Sequence, residues 1–171
     1  MVQAFVNTVD AENGVEELTG PEALRDVLVR IGALQEGSPA LSAADVRRAL
    51  AVREALRSLL HANSGLAPDP KAFDVLDGAG SSVSLGVRFG PDGSARLDTD
   101  ASTLQSALGR ILAIVYSSMV AGTWARLKAC PRDVCGWIFY DRSRNSSSRW
   151  CAMSVCGNRT KTKRYRAAVA R

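Results

Sequence analysis

The chain has a single histidine, His61, among 171 residues, so chemistry built on paired imidazoles is excluded. It contains no Gly-x-Ser-x-Gly, no phosphate-cradling glycine loop and no His-Glu metal motif. His61 falls at the end of a predicted helix, where a surface or helix-end role is simpler than that of a base. Long apolar runs are missing too. The most apolar window, 107–122, is broken by Gly109, Arg110, Ser117 and Ser118 and is too short and polar to span a bilayer. The opening Met1-Val2-Gln3-Ala4-Phe5-Val6 has no basic start leading into an apolar stretch, so it does not read as a leader, and a cytoplasmic location is the expectation. There is no internal repeat and no low-complexity tract. Aromatics make up only 6% of the chain, and cysteine is absent from the first 129 residues.

All four cysteines come late, as two matched C-x4-C pairs, Cys130/Cys135 and Cys151/Cys156, separated by fifteen residues. Paired thiols at this spacing suit a tetrahedral zinc, and a reducing compartment favours a metal over disulfides. An iron site and oxidised cysteines are the alternatives. Four thiolates close the coordination shell, so one structural Zn2+ is expected, with no open position for catalysis. Six of the ten aromatics also lie here: Trp124, Trp137, Phe139, Tyr140, Trp150 and Tyr165.

Charge divides in the same way. Residues 1–120 hold ten Lys/Arg against fifteen Asp/Glu, and residues 121–171 hold twelve against two. A mildly acidic body with a strongly basic end is a layout found in nucleic-acid binders, although a solvated basic face gives the same count.

The pattern predicts an α+β protein. A mainly helical N-terminal domain with a small β-hairpin covers 1–123, and a treble-clef-like zinc finger with four cysteine ligands covers 124–171. Residues 4–9 read as a short strand. Thr19-Gly-Pro-Glu22 has capping-box spacing before a helix that Gly32 stops. Ser42 to Asp45 caps a second helix through His61, with Val46, Ala49, Leu50, Leu56, Leu59 and Leu60 inward and Arg47, Arg48, Arg53, Glu54 and Arg57 mostly outward. Lys71–Leu76 reads as one or two helical turns. Residues 83–89 and 95–99 flank a hairpin loop. Thr99 or Asp100 caps a third helix to Ala121, with Leu104, Leu108, Ile111, Leu112, Val115 and Met119 as its core face. In the finger, residues 136–141 form a strand, 149–153 a return strand carrying Cys151, and Ser154 caps a helix containing Cys156.

That last helix is basic. Arg159, Lys163 and Arg166 fall within an arc of about 60°, and Tyr165 and Val169 lie on another side, able to pack on the hairpin. Arg142, Arg144 and Arg149 come from the hairpin turn and return strand. If turn and helix converge they form a phosphate footprint. Arg142, Arg144, Arg159, Lys161, Lys163, Arg164 and Arg166 are the candidate contacts, and Asn158 either reaches a base or caps the helix. The competing reading has Arg149 or Arg159 holding the finger together through Asp133 or Asp141. Asn7 and Asp10 either line a small pocket or make an ordinary strand-end turn.

The runs Cys130-x4-Cys135-Gly-Trp, Phe139-x-Asp141-x-Ser143, Arg149-Trp150-Cys151-x-Met153-x2-Cys156-Gly-Asn-Arg159 and Lys161-x-Lys163 resemble the CGNR-type zinc finger. Residues 4–10 are similar to the opening motif of the ABATE domain that usually precedes it. The resemblance implies a bacterial stress-induced transcription regulator with a DNA-binding finger. RNA in place of DNA, an acidic protein partner, a small-molecule effector at the N-terminal domain and a homodimer stay open. No membrane partner and no enzymatic activity are expected.

Overall fold

Ser42 fixes the start of the helix on which the fold is built. Its hydroxyl accepts from the Asp45 N–H at 3.3 Å, while the Asp45 carboxylate accepts from the Ser42 N–H at 2.8 Å. This reciprocal cap satisfies two donors that have no partner within the helix. In the computed structural model, which describes residues 1–132 and 134–169 with the side chain of Arg164 outside the described set, this helix runs Ala43–Ala62. It is α3, in a chain order of α1 Val2–Val6, β1 Val9–Asp10, β2 Val15–Glu16, α2 Pro21–Arg30, α3, α4 Pro70–Ser81, β3 Gly86–Phe89, β4 Ala95–Asp98, α5 Leu104–Val120, β5 Leu127–Ala129, β6 Ile138–Tyr140 and α6 Asn158–Val169. The strands pair as three separate antiparallel two-stranded ribbons, β1–β2, β3–β4 and β5–β6. The α+β architecture with a small finger at its end is as the sequence indicates.

α3 packs against α1, α2, α4, α5 and β5. Its Ala49, Val52, Leu56 and Leu60 meet Phe5, Val6, Leu24, Leu28, Leu108 and Ile111 in one apolar cluster. The same cluster takes in Leu127, Ala129 and Ile138 from the β5–β6 ribbon. Each fully buried Leu or Phe contributes about 1.5–3 kcal/mol by leaving water.

Several local expectations are corrected. Residues 2–6 are helical rather than a strand, because an apolar run this short carries no usable period, and burial of Phe5 and Val6 against α3 decides its state. Gly20, not Thr19, is the N-cap of α2, with Pro21 at the first helical position. α4 extends to Ser81 behind an Asp69 cap, beyond the expected turn or two. α5 is capped by Thr103 with Ser106, so neither Thr99 nor Asp100 starts it. Thr99 and Asp100 instead accept from the Ala101 and Ser102 N–H groups just ahead of the helix. Met119 is exposed.

Arg53 and Arg57 do not face outward. Arg53 is only 4% exposed; its guanidinium donates to both Glu16 oxygens at 2.6 and 2.7 Å and to the Thr8 hydroxyl at 3.1 Å. Burial alone would lower its pKa, but its carboxylate partners raise it. Arg57 donates to the carbonyls of Gly136 (at 3.1 Å) and Val6.

The ribbon β5–β6 is bonded to the N-terminal helices at each strand. Asn7 donates to the Ile138 carbonyl at 2.8 Å and accepts from its N–H at 2.9 Å. Ser64 makes the same reciprocal pair with Ala129, at 2.9 Å in both directions. Asn63 donates to the Trp124 and Leu127 carbonyls at 3.0 and 2.9 Å. Asn7 is therefore a buried clamp on the finger's strand, not the wall of a pocket. Asp10 closes a local turn by accepting from the N–H groups of Glu12 and Asn13.

Replacing Asn7 with Ala removes the side-chain partners of both the N–H and the C=O of buried Ile138, and the expected cost is about 2–4 kcal/mol. Urea denaturation of the metal-loaded protein measures it; a loss below about 0.5 kcal/mol would show that the clamp is dispensable.

Candidate metal centre and basic groove

The finger is a hairpin wrapped around a metal-binding turn. β5 delivers Cys130 at its end, and the chain turns through Pro131, Arg132 and Val134 to Cys135 before returning in β6. The Cys130 N–H bonds the Trp137 carbonyl at 2.9 Å and the Cys135 N–H bonds the Arg132 carbonyl at 2.8 Å. Gly136 makes the exit at φ +56°, a region that costs other residues strain. The strand partner of β6 is β5, in the register Leu127↔Tyr140 and Ala129↔Ile138. Residues 149–152 form no return strand, because the other side of the hairpin lies before the cysteine pair, not after it.

The second pair comes from irregular backbone. Cys151 precedes a single π-helical turn, Met153–Gly157, which contains Cys156 and runs straight into α6. Ala152, not Ser154, stands at the N-cap of this turn. A Cβ on Gly157 would lie 2.3 Å from Met153 Sδ and 3.1 Å from Trp150 Cδ1, so a larger residue there would have to displace the Met153 side chain.

The four Sγ atoms lie within 4.8 Å of one another. Cys135, Cys151 and Cys156 form a triangle with edges of 3.8, 3.6 and 3.8 Å. A tetrahedron with metal–sulfur bonds of about 2.3 Å has edges of about 3.8 Å, whereas a disulfide would need about 2.05 Å. Donor set, number and spacing therefore fit one structural Zn2+, and the cysteines are free thiols. Burial pushes the Cys135 thiol up to about 11 and Cys151 higher still; Cys130 adds to the first shift and Cys156, Cys130 and Cys135 to the second. Buried thiolates at this density need a cation. Burial would raise Cys156 as well, but the Arg132 guanidinium and the other thiols outweigh it and lower its pKa.

Asp141 organises the loop beyond β6. It is 1% exposed and accepts from Lys128 Nζ at 2.7 Å, from the Ser143 hydroxyl at 2.6 Å and from the Ser143 and Ser148 N–H groups at 2.9 and 3.0 Å. Its burial is outweighed by these donors, which hold the carboxyl below its ordinary range. The partner of Asp141 is thus Lys128, not Arg149 or Arg159, and Asp133 lies outside the described residues.

The candidate cations separate into two sets. Arg132, Arg149, Arg159 and Lys163 line one groove of about 460 Å³ between the metal-binding turn and α6, together with Trp150 and Val134. Arg159, Lys163 and Arg166 share one α6 face with Asn158 and Thr162. Arg142, Arg144 and Lys161 are exposed and line neither of these two grooves. The Arg164 side chain lies outside the described residues. Tyr165 and Val169 are 71% and 68% exposed and do not pack on the hairpin. Asn158 donates to the Ser154 carbonyl at 3.2 Å, bracing the turn into α6. Sequence reasoning missed Arg132 as a groove residue and Glu12, whose carboxylate pairs with Arg132 and Arg159. Glu12 lies 120 or more positions from both arginines, and no local pattern signals such a contact.

Two family profiles match the chain. One, described as "ABATE: Putative stress-induced transcription regulator", covers residues 1–126. The other, described as "CGNR zinc finger", covers residues 126–168. No curated protein matches it.

Purified protein is expected to carry one zinc per chain by elemental analysis, and Cys156→Ser to lose it together with the finger's folding cooperativity. Full zinc retention by the variant would contradict a four-thiolate cage. Separately, Asp141→Ala leaves the half-buried Lys128 ammonium with only the Ser146 and Ser148 carbonyls and is expected to cost about 3 kcal/mol in denaturant titrations at constant zinc. Because the folded pKa of Asp141 is lowered, its contribution is complete above the ordinary carboxyl value and is lost as pH falls through the folded one.

Proposed function

The chain belongs to the ABATE family and ends in a CGNR zinc finger, and from that premise we propose that it is a transcription regulator whose finger binds DNA through a phosphate-contacting basic groove. The observation that carries this reading is the clustering of Arg132, Arg149, Arg159 and Lys163 around one groove beside the metal centre, with Arg166 continuing along α6. Guanidinium and ammonium groups at this density suit a polyanion's backbone. Zinc holds the metal-binding turn against α6, so residues well separated in sequence present one charged surface. Arg142, Arg144, Lys161 and Arg164 belong to the proposal as outer contacts, and Asn158 as support for the helix start. RNA offers the same phosphates and is tested alongside.

We place the division between the regulatory part and the finger at residues 123 and 124. Gly122, at φ +68° just after α5, supports a boundary there. Homodimerisation through α5 is part of the proposal, supported by exposed Tyr116, Met119 and Val120. So is a small-molecule effector at the N-terminal region. The cavity of about 550 Å³ between Glu54, Arg57, His61 and the metal-binding turn offers it room. Among the described residues no helix is long and apolar enough to cross a membrane; a cytoplasmic location is proposed from the match to a regulator family. The matched families are of regulator and zinc-finger type, and no catalytic step is proposed.

A second reading has one specific observation in its favour. The groove's arginines already hold a carboxylate, that of Glu12, and an acidic protein segment would present the same group.

Fluorescence anisotropy with duplex DNA of random sequence, titrated across salt and repeated with duplex RNA, distinguishes the two. Affinity is expected to fall by about 0.9 log units per log unit of salt for each phosphate neutralised. The Lys163→Ala/Arg166→Ala double variant is expected to flatten that slope while keeping its zinc. Absence of duplex binding at low salt, with salt-sensitive capture of an acidic polypeptide, would transfer the groove to the second reading.

A further inference from the structure

Glu12 stands in the turn between β1 and β2, at the opposite end of the chain from the finger, yet its carboxylate joins two finger arginines. Oε1 accepts from Arg159 Nη1 at 2.8 Å, and Oε2 accepts from Arg132 Nη2. The turn that presents it is braced by Asp10, whose oxygens accept from the Glu12 and Asn13 N–H groups at 3.0 and 3.1 Å and from Asn13 Nδ2 at 2.7 Å. Asp10 thus fixes the turn that carries Glu12 beside two arginines of the groove.

The two arginines it joins differ in setting. The Arg132 side chain is 15% exposed, reaches the Cys156 thiol beside the metal centre, and has an Nε with no hydrogen-bond partner. Arg159 sits in the first turn of α6, where the helix begins at the Cys156 turn. Two guanidiniums that meet on one carboxylate beside the metal site form a fork for a pair of anionic oxygens. A carboxylate and a phosphodiester both present that pair. Among the described residues of the finger the one acid, Asp141, is taken by Lys128. The acid in the fork comes from the N-terminal region.

We infer that Arg132 and Arg159 form a phosphate subsite within the groove, which Glu12 occupies in the free protein, so that the N-terminal region holds the finger's affinity for nucleic acid down until a backbone phosphate displaces the carboxylate. This rests on the nucleic-acid reading of the groove. Displacement is within reach because Glu12 and Arg159 are partly solvated, at 31% and 61% exposure, and exposed ion pairs of this kind contribute little. Release of Glu12, by whatever moves the β1–β2 turn, would uncover the subsite without any change at the metal.

The test compares full-length, zinc-loaded wild type, Glu12→Gln, Glu12→Gln/Arg159→Ala and Glu36→Gln by anisotropy with random-sequence duplex DNA. Glu36 is exposed and outside the groove, so its variant controls for the general effect of removing one negative charge. Zinc content and melting temperature are read for every variant. Glu12→Gln is expected to bind about 3–10-fold more tightly than wild type, with a salt slope steeper by about 0.9 if one more phosphate is engaged. The gain is expected to vanish in the Arg159→Ala background, and Glu36→Gln to stay within about twofold of wild type. If wild type binds duplex but Glu12→Gln binds no more tightly, or no more tightly than Glu36→Gln, Glu12 is only a structural clamp and the inference fails alone. If neither wild type nor Glu12→Gln binds at low salt, this inference and the nucleic-acid reading fall together.

Discussion

Four sulfur atoms within 4.8 Å of one another cannot all carry charge without a cation between them. The finger depends on that constraint. Its apolar content is modest: one cluster of Cys130, Cys135 and Cys156 with Trp150 and Cys151 packed against it. So small a core cannot order its loops, and a four-thiolate metal centre supplies the missing cohesion. The metal-binding turn, the π-helical turn and the start of α6 take their positions from the same four atoms.

The finger does not hang from the rest of the molecule. Its β5–β6 ribbon contributes Leu127, Ala129 and Ile138 to the main core, and the backbones of Ala129 and Ile138 are each paired reciprocally with a polar side chain from the N-terminal helices. Cohesion thus comes from two sources. Thiolates and metal organise one side of the ribbon, and apolar packing with buried amide and hydroxyl clamps organises the other. Arg57, bonded to the carbonyls of both Val6 and Gly136, stands where they meet.

What the sequence showed depended on how far each determinant lay from its effect. The cap formed by Ser42 and Asp45 lies within one helical turn and is legible. The cysteine spacing is legible for the same reason, since ligand identity and number are local and the metal imposes the geometry. The helix at 2–6 was not legible, because so short a segment contains too little periodicity and its state is set by α3. Arg53 reads as a solvent-facing cation until Glu16, thirty-seven positions away, is placed beside it. The strand Leu127–Ala129 has three residues and no alternation worth reading; it is a strand because β6 needs a partner. Glu12 shows the limit most plainly, as a charge in a polar turn whose partners lie 120 and 147 positions along the chain.

The pairing of Asn7 with Ile138 spans 131 positions, and it carries a consequence for how the molecule is made. During synthesis the first helix leaves the ribosome long before the strand that satisfies it exists. Phe5 and Val6 can collapse onto α3 early, yet the core they belong to stays open on the side that Leu127, Ala129 and Ile138 will fill. Contacts this distant in sequence form late and slowly. The nascent chain therefore shows an unfinished apolar face until the metal-binding turn emerges, and the arrival of the ribbon completes the older part of the molecule as well as the new.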